Sequence, residues 1–463
     1  MVARVVIAAP SSGSGKTVVA TGLMGALRQA GHVVAPFKVG PDYIDPGYHT
    51  LAAGRPGRNL DPVLVGESLV GPLFAHGTAG ADIAVVEGVM GLFDGRVGTD
   101  STGSTAHVAE LLDAPVLLVV DTRGHSTSLA ALLHGFRTWR PSTQLAGVIL
   151  NQVGSDRHES VLRDACDEVG LDVVGVLRRH AAVEVPSRHL GLVTATEHGA
   201  AARKAIDAMA TLVAESVDLA AIVALAQGGS AFTPWAPPVE PVAGRPVVAV
   251  AGGPAFTFGY AEHTELLAAA GAAVAVVDPL RDTALPDGTA GIVLPGGFPE
   301  QYAAELSANT ALRTAVANTT VPVHAECAGL LYLARSLDGQ PMCGLLDADA
   351  TMTGRLTLGY RDVVAVADSV LHPAGTRLTG HEFHRTVVTP QHGEPPAWRW
   401  RGGSDGFVTD RIHASYVHIH PAAAPTGVAR FVARCSSAAN AMAIVPHSTT
   451  CVPSDASRKS QSV

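Results

Sequence analysis

A glycine- and serine-rich loop follows the first apolar run of the chain. Residues 11–17 read Ser-Ser-Gly-Ser-Gly-Lys-Thr, between the strand-like run Val2–Ala9 and the helix-like stretch Thr17–Ala30. The backbone N–H groups of such a loop surround phosphate oxygens, while its lysine and hydroxyl reach the terminal phosphates and Mg²⁺. The strict motif has glycine where this chain has Pro10, and the alternative is a flexible turn. The strand–loop–helix context favours a phosphate site, whose residues are Gly13, Ser14, Gly15, Lys16 and Thr17.

The rest of the N-terminal part alternates short apolar runs with helical stretches. The runs are Val33–Val39, Ile83–Glu87, Pro115–Asp121 and Leu145–Asn151. This alternation predicts an α/β fold in which a parallel sheet carries helices on both faces. Uninterrupted apolar strands also fit a sheet that is covered on both sides. We therefore predict a P-loop domain over residues 1–226.

The alternation stops at residues 227–245, which contain Gly-Gly-Ser and several prolines, and this composition predicts a linker. A second alternation follows, with runs at Pro246–Ala251, Ala272–Val277, Gly291–Leu294 and Val321–Ala325. It predicts a second α/β domain over residues 246–435. Residues 436–463 are rich in serine and threonine and lack periodic apolar runs, so we predict a disordered tail.

Acidic residues that could serve a nucleotide-bound metal occur in two segments. Glu87 ends an apolar run and Asp94 follows it in Glu-Gly-Val-Met-Gly-Leu-Phe-Asp-Gly, while the segment at 37–46 contributes Lys38, Asp42 and Asp45. Ligands of open α/β sheets collect at the carboxyl ends of strands, and carboxylate oxygens suit Mg²⁺. The alternative is turn or cap chemistry, which Asp45 before proline and Asp94 before glycine also fit.

Cys327 lies in a second strand-to-helix turn. The sequence Val-His-Ala-Glu-Cys-Ala-Gly-Leu-Leu at 323–331 is typical of a nucleophile elbow with cysteine in place of serine. A thiol at a helix N-terminus is expected to favour the thiolate. The alternative is a buried filler cysteine, since cysteine is among the most buried residue types.

Two further features favour a cysteine hydrolase. The backbone N–H groups of Gly296 and Gly297, in Leu-Pro-Gly-Gly-Phe, follow an apolar run and are candidates for an oxyanion hole. His418 and His420 lie late in the domain on an expected strand, where a period of two places both on one face. Either imidazole could activate the thiol, and we favour His418. The motif Gly-His-Glu-Phe-His at 380–384 has histidines three apart, not four, so we interpret it as structural or substrate-facing.

Composition excludes several classes of function. The net charge is −9 and only 16% of residues are charged, which argues against sequence-independent nucleic-acid binding. Five widely separated cysteines without metal-ligand spacing indicate neither a disulfide framework nor a zinc site, and a reducing cytoplasm is expected. The sequence contains no run of about 20 apolar residues, so we predict no membrane span. We also expect no signal peptide at the N-terminus.

Taken in order, these motifs resemble the cobyrinate or hydrogenobyrinate a,c-diamide synthase family over nearly all of residues 1–435. The motifs that carry the resemblance are those at 11–17, 37–46, 87–95, 188–192 (Arg-His-Leu-Gly-Leu), 325–327, 380–384 and 415–418 (Ser-Tyr-Val-His). The N-terminal half is similar to dethiobiotin synthetase and the C-terminal half to class I glutamine amidotransferases. Departures from the family are Pro10, Ala328 after the cysteine where glycine is usual, and the absence of an acidic residue near Phe256.

The resemblance implies ATP-dependent, glutamine-hydrolysing amidation of the c and then the a carboxylate of a corrin ring. It implies Cys327 as nucleophile, His418 as its base, and Mg²⁺ as cofactor with Thr17, Asp45 and Glu87. Substrate or activation roles are implied for Lys38, Asp42, Tyr43 and Asp94, and recognition of the nucleotide base for Asn151. The implied partners are a corrinoid, ATP and glutamine, with neither nucleic acid nor membrane, and a homodimer is left open. The alternatives are amidation of other corrin carboxylates, as in cobyric acid synthase, and a non-catalytic ParA/MinD-like ATPase switch.

Overall fold

The computed structural model describes residues 2–179, 187–188, 191–192 and 195–444. The strands of the N-terminal half are β1 (Ala3–Ala8), β2 (Val34–Val39), β3 (Arg58–Leu60), β4 (Ile83–Glu87), β5 (Val116–Asp121), β6 (Leu145–Val153), β7 (Val173–Arg178), β8 (Ser187–Arg188) and β9 (Gly191–Leu192). Its helices are α1 (Lys16–Gln29), α2 (Asp45–Ala53), α3 (Pro62–Val65), α4 (Glu67–Gly77), α5 (Thr105–Leu111), α6 (Leu129–Trp139), α7 (Asp156–Glu168), α8 (Ala195–Ser216) and α9 (Leu219–Leu225). Residues 189 and 190 of the motif at 188–192 lie outside the described residues.

Seven strands of this half form one parallel sheet in the order β3-β2-β4-β1-β5-β6-β7. The central strand β1 is buried at every residue, as expected for a parallel sheet covered on both faces. The predicted α/β class with helices around a parallel sheet is therefore confirmed. Since all strands run in the same direction, the loops after β1, β2 and β4 meet at one edge of the sheet.

Residues 227–246 contain neither helix nor strand, yet they pack against the N-terminal half. Trp235 is buried, and its backbone N–H donates to the carbonyl of Pro72 at 2.9 Å. Arg4 donates to the carbonyl of Ser230 at 2.7 Å. The segment predicted as a linker is thus an extended strap held by its own contacts.

The C-terminal half contains a parallel sheet and a separate antiparallel sheet. Its strands are β10 (Val247–Ala251), β11 (Ala273–Val277), β12 (Thr289–Leu294), β13 (Val323–Glu326), β14 (Ser336–Leu337), β15 (Gln340–Pro341), β16 (Asp349–Ala365), β17 (Arg377–Thr389), β18 (Trp398–Trp400), β19 (Gly403–Asp405), β20 (Phe407–Val408) and β21 (Ile412–Ser415). Its helices are α10 (Ala261–Ala269), α11 (Ala303–Ala308), α12 (Thr310–Ala317), α13 (Ala328–Leu333) and α14 (Pro425–Ile444), with 3₁₀ turns at Pro299–Tyr302 and Pro421–Ala423. The first sheet has the order β11-β10-β12-β13-β21-β20, and only β20 is antiparallel.

The antiparallel sheet was not foreseen from the sequence. Strands β16 and β17 pair over twelve register positions around an irregularity between Met352 and Thr357. Polar residues fill much of both strands because one face is exposed, and this conceals the apolar alternation that identifies a strand.

Helix α14 also differs from the expectation for the tail. It extends to Ile444, so residues 436–444 are helical and not disordered. Cys435 is fully buried in the core, and alanines between residues 438 and 443 continue the helix at little conformational cost. Among the described residues, no helix combines the length and apolar composition needed to cross a bilayer.

Several contacts join the two halves. Arg58 is the first residue of β3, and its guanidinium pairs with Glu262 at 2.7 Å and also with Glu265, both on α10. The hydroxyl of Tyr360 on β16 donates to Asp61 at 2.8 Å. These ion pairs and hydrogen bonds bring the antiparallel sheet and α10 against the edge of the N-terminal sheet near β3.

Candidate active sites

The loop between β1 and α1 has the geometry of a phosphate-binding loop. Gly15 precedes α1 with φ 95°, a conformation that favours glycine, and a Cβ at this position would lie 2.3 Å from Nδ2 of Asn151. Gly13 also has positive φ, and the Ser14 hydroxyl donates to the carbonyl of Ser11 at 2.9 Å. The five predicted phosphate-site residues therefore lie together at the carboxyl edge of the sheet, three in the loop and two in the first turn of α1.

Lys16 is folded back across this loop. Its ammonium donates to the carbonyls of Met90 and, at 3.3 Å, Ser11. Burial, together with the charge of Lys38, lowers the pKa of Lys16 to about 8. The lysine is therefore held by weak acceptors that a phosphate group can replace, since an ionised oxygen binds an ammonium more strongly than a carbonyl does.

The predicted metal and activation residues form a buried ion cluster beside the loop. The Thr17 hydroxyl donates to Glu87 at 2.6 Å and lies 3.4 Å from Asp45 Oδ2. Lys38 Nζ donates to Asp45 Oδ2 at 2.6 Å and to Glu87 Oε1 at 2.8 Å. One cation thus serves two carboxylates, which brings four of the predicted residues into direct contact.

Each charge in the cluster is set by its neighbours. Although burial opposes its charge, the carboxylates of Asp45 and Glu87 raise the pKa of Lys38 above the ordinary value. Burial also opposes ionisation of Glu87, but Lys38 and His49 hold its pKa well below the usual range. The pKa of Asp45 is raised, first by burial and then by the charge of Asp42. Glu87 is therefore the ionised carboxylate, and Asp45 is the one most easily protonated.

Sequence reasoning missed His49, which is fully buried and lies 2.6 Å from Glu87 through Nε2. The sequence does contain a signal for it, because residues four apart on a helix share a face and His49 follows Asp45 by four positions on α2. A metal-site role for Asp45 therefore predicts that His49 faces the same site.

Asp42 and Asp94 make local contacts instead of joining the ion cluster. Asp42 Oδ1 accepts from the N–H groups of Ile44 and Asp45 at 2.7 and 3.0 Å, which fixes the start of α2. Asp94 accepts from the N–H of Gly91 at 2.9 Å and closes a turn. Both contacts match the turn and cap alternative for these residues.

Asn151 lies at the phosphate loop, where its amide donates to the carbonyl of Ser14 at 3.0 Å. It lines a cleft of about 580 Å³ with Gly13, Gly15, Asp121 and Arg178. This cleft is continuous with the phosphate loop and is large enough for a nucleoside. The predicted role of Asn151 in base recognition stays a prediction.

Cys327 occupies a strained turn between β13 and α13. Its φ of 48° and ψ of −98° are rare for a residue with a side chain, and its N–H donates to the carbonyl of Ser415 at 2.8 Å. The turn depends on Gly329, because a Cβ there would lie 2.2 Å from the carbonyl oxygen of Leu294. The turn therefore has the geometry expected of a nucleophile elbow.

The thiol of Cys327 is almost wholly enclosed, with 3% of the residue exposed. Burial, followed by the charge of Glu300, raises its pKa above the ordinary value. The expectation that the helix N-terminus would favour the thiolate is therefore wrong for this state. Helix α13 has only six residues, so its dipole is small beside the cost of burying a charge.

His418 lies against the elbow, but three residues beyond the end of β21 and not on that strand. Its Nδ1 is 3.3 Å from Glu326 Oε2, and Glu326 directly precedes the cysteine. Its buried Nε2 has no hydrogen-bond partner among the described residues, the Cys327 thiol included. An imidazole oriented by a carboxylate through one nitrogen, with the other free, is the arrangement required of a general base.

His420, the other candidate base, is committed elsewhere. Its Nδ1 accepts from the N–H of Ala422 at 3.3 Å, its ring lies 4.2 Å from that of Tyr260, and burial lowers its pKa to about 4. The preference for His418 is therefore supported by geometry. Sequence reasoning missed Glu326, whose pKa is held low, against burial, by His324 and His418.

The two predicted oxyanion-hole glycines lie beside this imidazole. A Cβ at Gly296 would meet Cε1 of His418 at 2.5 Å, and one at Gly297 would meet the carbonyl of Ala255 at 2.1 Å. Both positions thus exclude side chains for reasons of space. The histidine-rich motif supports the same region, since the backbones of His381 and His418 exchange two hydrogen bonds of 2.9 Å.

Tyr43 connects the two candidate sites. It follows β2 in the N-terminal half, yet its ring lies 4.9 Å from the ring of His418 and stacks on Phe258 at 5.2 Å. Its hydroxyl bonds to that of Tyr260 at 2.9 Å. Only Ile44 separates it from Asp45 in the ion cluster, so the loop at 42–45 touches both centres.

Comparison with known proteins follows the same division. Residues 5–193 match the CobQ/CobB/MinD/ParA nucleotide binding domain family, and residues 247–425 match the CobB/CobQ-like glutamine amidotransferase domain family.

Curated relatives match over nearly the whole chain. Hydrogenobyrinate a,c-diamide synthase of Mycobacterium tuberculosis is 62% identical over 447 residues, which cover 93% of this chain and 98% of the relative. The protein of the same name from Streptomyces coelicolor is 58% identical, covering 94% of this chain and 98% of the relative. Cobyrinate a,c-diamide synthase of Gloeobacter violaceus is 43% identical, covering 94% and 97%.

Proposed function

This chain belongs to the hydrogenobyrinate and cobyrinate a,c-diamide synthase family, and we propose that it amidates the a and c side-chain carboxylates of one of these corrinoids. It is an amidating ligase that takes nitrogen from glutamine and energy from ATP. The observation that carries the proposal is the placement of two reactive centres on one chain, the phosphate loop with its ion cluster and the Cys327 elbow, joined through Tyr43.

In the N-terminal half we propose that ATP activates the substrate acid. A carboxylate oxygen of the corrinoid attacks the γ-phosphorus, the bond to the bridging oxygen breaks, and ADP leaves an acyl phosphate behind. Lys16 and the loop N–H groups hold the phosphates in line, since positioning and charge stabilisation supply most of phosphoryl-transfer catalysis. Asp42 and Lys38 are proposed to handle the incoming acid, with Asp94 fixing the neighbouring turn.

Mg²⁺ fits the residues beside the phosphate loop. The Thr17 hydroxyl, Asp45 and Glu87 supply the hard oxygen donors that this ion prefers, and they already lie within hydrogen-bond distance of one another or of Lys38. No group of three His, Cys, Asp or Glu side chains in the described part of the chain forms a metal cage. Nucleotide-bound Mg²⁺ needs only one or two protein ligands, and when bound it would neutralise charge on the phosphates.

In the C-terminal half we propose that Cys327 attacks the side-chain amide carbon of glutamine. Because burial disfavours the thiolate, the proton must leave as the new carbon–sulfur bond forms, and Nε2 of His418 is available to accept it. The proton then passes to the departing nitrogen, ammonia leaves, and water cleaves the thioester to glutamate. Glu326 stabilises the imidazolium that forms in between.

Ammonia must then reach the acyl phosphate ahead of water. Tyr43, Phe258, Tyr260 and Phe298 form an aromatic cluster against His418, with ring centroids about 5 Å apart. We propose that ammonia passes this cluster, because an apolar lining excludes water from the reactive intermediate. Attack on the acyl carbon expels phosphate and leaves the amide.

Replacing the nucleophile separates the two half-reactions. Cys327→Ser is expected to abolish amidation with glutamine and to retain it with ammonium chloride, because the ligase half does not need the thiol. Amide formation on the corrinoid, followed by chromatography and mass spectrometry, measures both. Loss with both nitrogen donors in a protein that still binds ATP would show that the cysteine has another role.

A further inference from the structure

A basic cleft lies between the two halves, outside both reactive centres. It has a volume of about 760 Å³, within the usual range for small-molecule sites. One wall comes from α3 and the start of α4, and the other from strands β16, β17 and β18 of the antiparallel sheet. The cleft is basic although the chain as a whole carries a net charge of −9.

Three arginines supply the charge of the cleft: Arg377, Arg399 and Arg401. All three are exposed, and none forms an ion pair or side-chain hydrogen bond with any described residue. The acidic group that also lines the cleft, Asp362, is paired with Arg96. The cleft therefore presents cationic groups that the protein itself does not neutralise.

The register of the sheet places two of these arginines on one face. Val364 is the direct partner of Arg377 on one neighbouring strand and of Arg399 on the other. Directly opposed residues of antiparallel strands share a face. The two arginines are therefore two strand spacings apart, about 10 Å, and both point into the cleft.

The opposite wall is apolar. Val63, Leu64 and Leu69 line it from the N-terminal half, while Trp400 is half-buried on the sheet side beneath the guanidinium of Arg361. An apolar wall that faces separated cations suits a ligand with an apolar ring face and several peripheral carboxylates.

The N-terminal wall of the cleft is connected through β3 to the loop at residues 42–45. Helix α3 begins directly after β3, and Leu60 on that strand is the register partner of Val39 on β2. The side-chain amide of Asn59 donates to the carbonyls of Gly40 and Asp42 at 2.8 and 2.7 Å. A ligand in the cleft therefore lies at the same carboxyl edge of the sheet as Asp42 and Asp45.

We propose that this cleft binds the corrinoid, with peripheral carboxylates on Arg377, Arg399 and Arg401 and the macrocycle against Val63 and Leu69. The proposal rests on the proposed function, because it assigns a site to that substrate. Bound in this way, the macrocycle can direct one carboxylate towards the phosphate loop while the others stay on the arginines. The same contacts serve both amidations if the ring is released and rebound in a second orientation.

The test uses steady-state amidation of hydrogenobyrinate and cobyrinate by the full chain, with ammonium chloride as nitrogen donor. Arg377→Met, Arg399→Met and the Arg377→Met/Arg399→Met double variant are compared with Arg434→Met, an exposed arginine on α14 outside the cleft. Each single cleft variant is expected to raise the KM for the corrinoid about tenfold, and the double variant is expected to raise it further. The KM for ATP and the rate of glutamine hydrolysis are expected to stay unchanged. Arg399→Lys is expected to recover part of the loss, because charge is kept and bidentate geometry is lost.

Direct binding gives a second readout. Quenching of tryptophan fluorescence by the corrinoid is expected to titrate at higher concentration in the cleft variants and to weaken with added salt. A corrinoid KM within twofold of wild type in the double variant would overturn the site, as would a parallel fall of glutamine hydrolysis, since the arginines would then support the fold. A wild-type protein that amidates neither corrinoid would refute the proposed function. Amidation by the wild-type protein is therefore measured before any variant is made.

Discussion

Lys38 offers the sharpest test of the ion cluster at the phosphate loop. Its side chain is 5% exposed and its ammonium contacts Asp45 at 2.6 Å, Glu87 at 2.8 Å and the carbonyl of Gly88 at 3.2 Å. Lys38→Met keeps the length and apolar stem of the side chain and removes the charge. It leaves two buried carboxylates without their common cation.

The magnitude follows from this burial. Removing one partner of a buried ion pair costs about 3–5 kcal/mol, mainly because the other charge is left uncompensated. Glu87 keeps its contacts with His49 and Thr17, and Asp45 can take up a proton. These responses keep the cost within that range although two carboxylates are affected. A domain of this size loses about 2–4 °C per kcal/mol, so its melting temperature is expected to fall by roughly 6–20 °C.

Calorimetry at neutral pH measures the loss, and the transition of the nucleotide-binding half is identified by its shift with ATP. Lys204→Met, an exposed lysine on α8, is the matched control and is expected to change stability by less than about 0.5 kcal/mol. Adding Glu87→Gln to Lys38→Met removes one uncompensated charge and is expected to restore part of the stability. A Lys38→Met protein with the same melting temperature as the Lys204→Met control would refute the idea that this cation holds the cluster together.

Two further predictions concern other buried carboxyl groups. Glu326→Gln is expected to lower glutamine-dependent turnover about 10²-fold, because the imidazolium of His418 loses its counter-charge, while ammonium-dependent amidation is unchanged; an equal loss with both donors in a kinetic comparison would contradict this role. Burial raises the pKa of Asp61 to about 6, against about 3.9 in an unfolded chain, so ionising this group costs about 3 kcal/mol above pH 6. The folded state holds its proton longer, so wild-type stability falls as pH rises from about 4 to 6. Asp61→Asn, which can still cap α3, is therefore expected to raise the melting temperature at pH 7 and to match wild type below pH 4; a constant difference across this range would argue against a buried ionisable Asp61.

Local patterns predicted much of the N-terminal half. The apolar runs identified β1, β2, β4, β5 and β6 to within two residues at each end, because the middle of each strand is buried and most of its residues are apolar. The phosphate loop and the cysteine elbow were equally local, since each is a glycine-dependent turn between a strand and a helix. In both cases the chemistry is carried by residues adjacent in sequence.

Longer-range features were decided by packing. The hairpin of β16 and β17, the off-strand position of His418 and the helical residues 436–444 all depend on surfaces supplied by distant parts of the chain. The same holds for the high pKa of Cys327, because desolvation depends on everything that encloses the thiol and not on the helix that follows it.

The sequence alone therefore determined that two α/β halves carry a phosphate loop and a cysteine elbow, since strand periodicity and turn chemistry act over a few residues. Tertiary structure decided which acid orients the imidazole, that His49 supports Glu87, and that Tyr43 from one half meets His418 of the other. It also formed the basic cleft, whose walls are about 300 residues apart in sequence. No local pattern encodes such contacts, because each depends on how the two halves pack against each other.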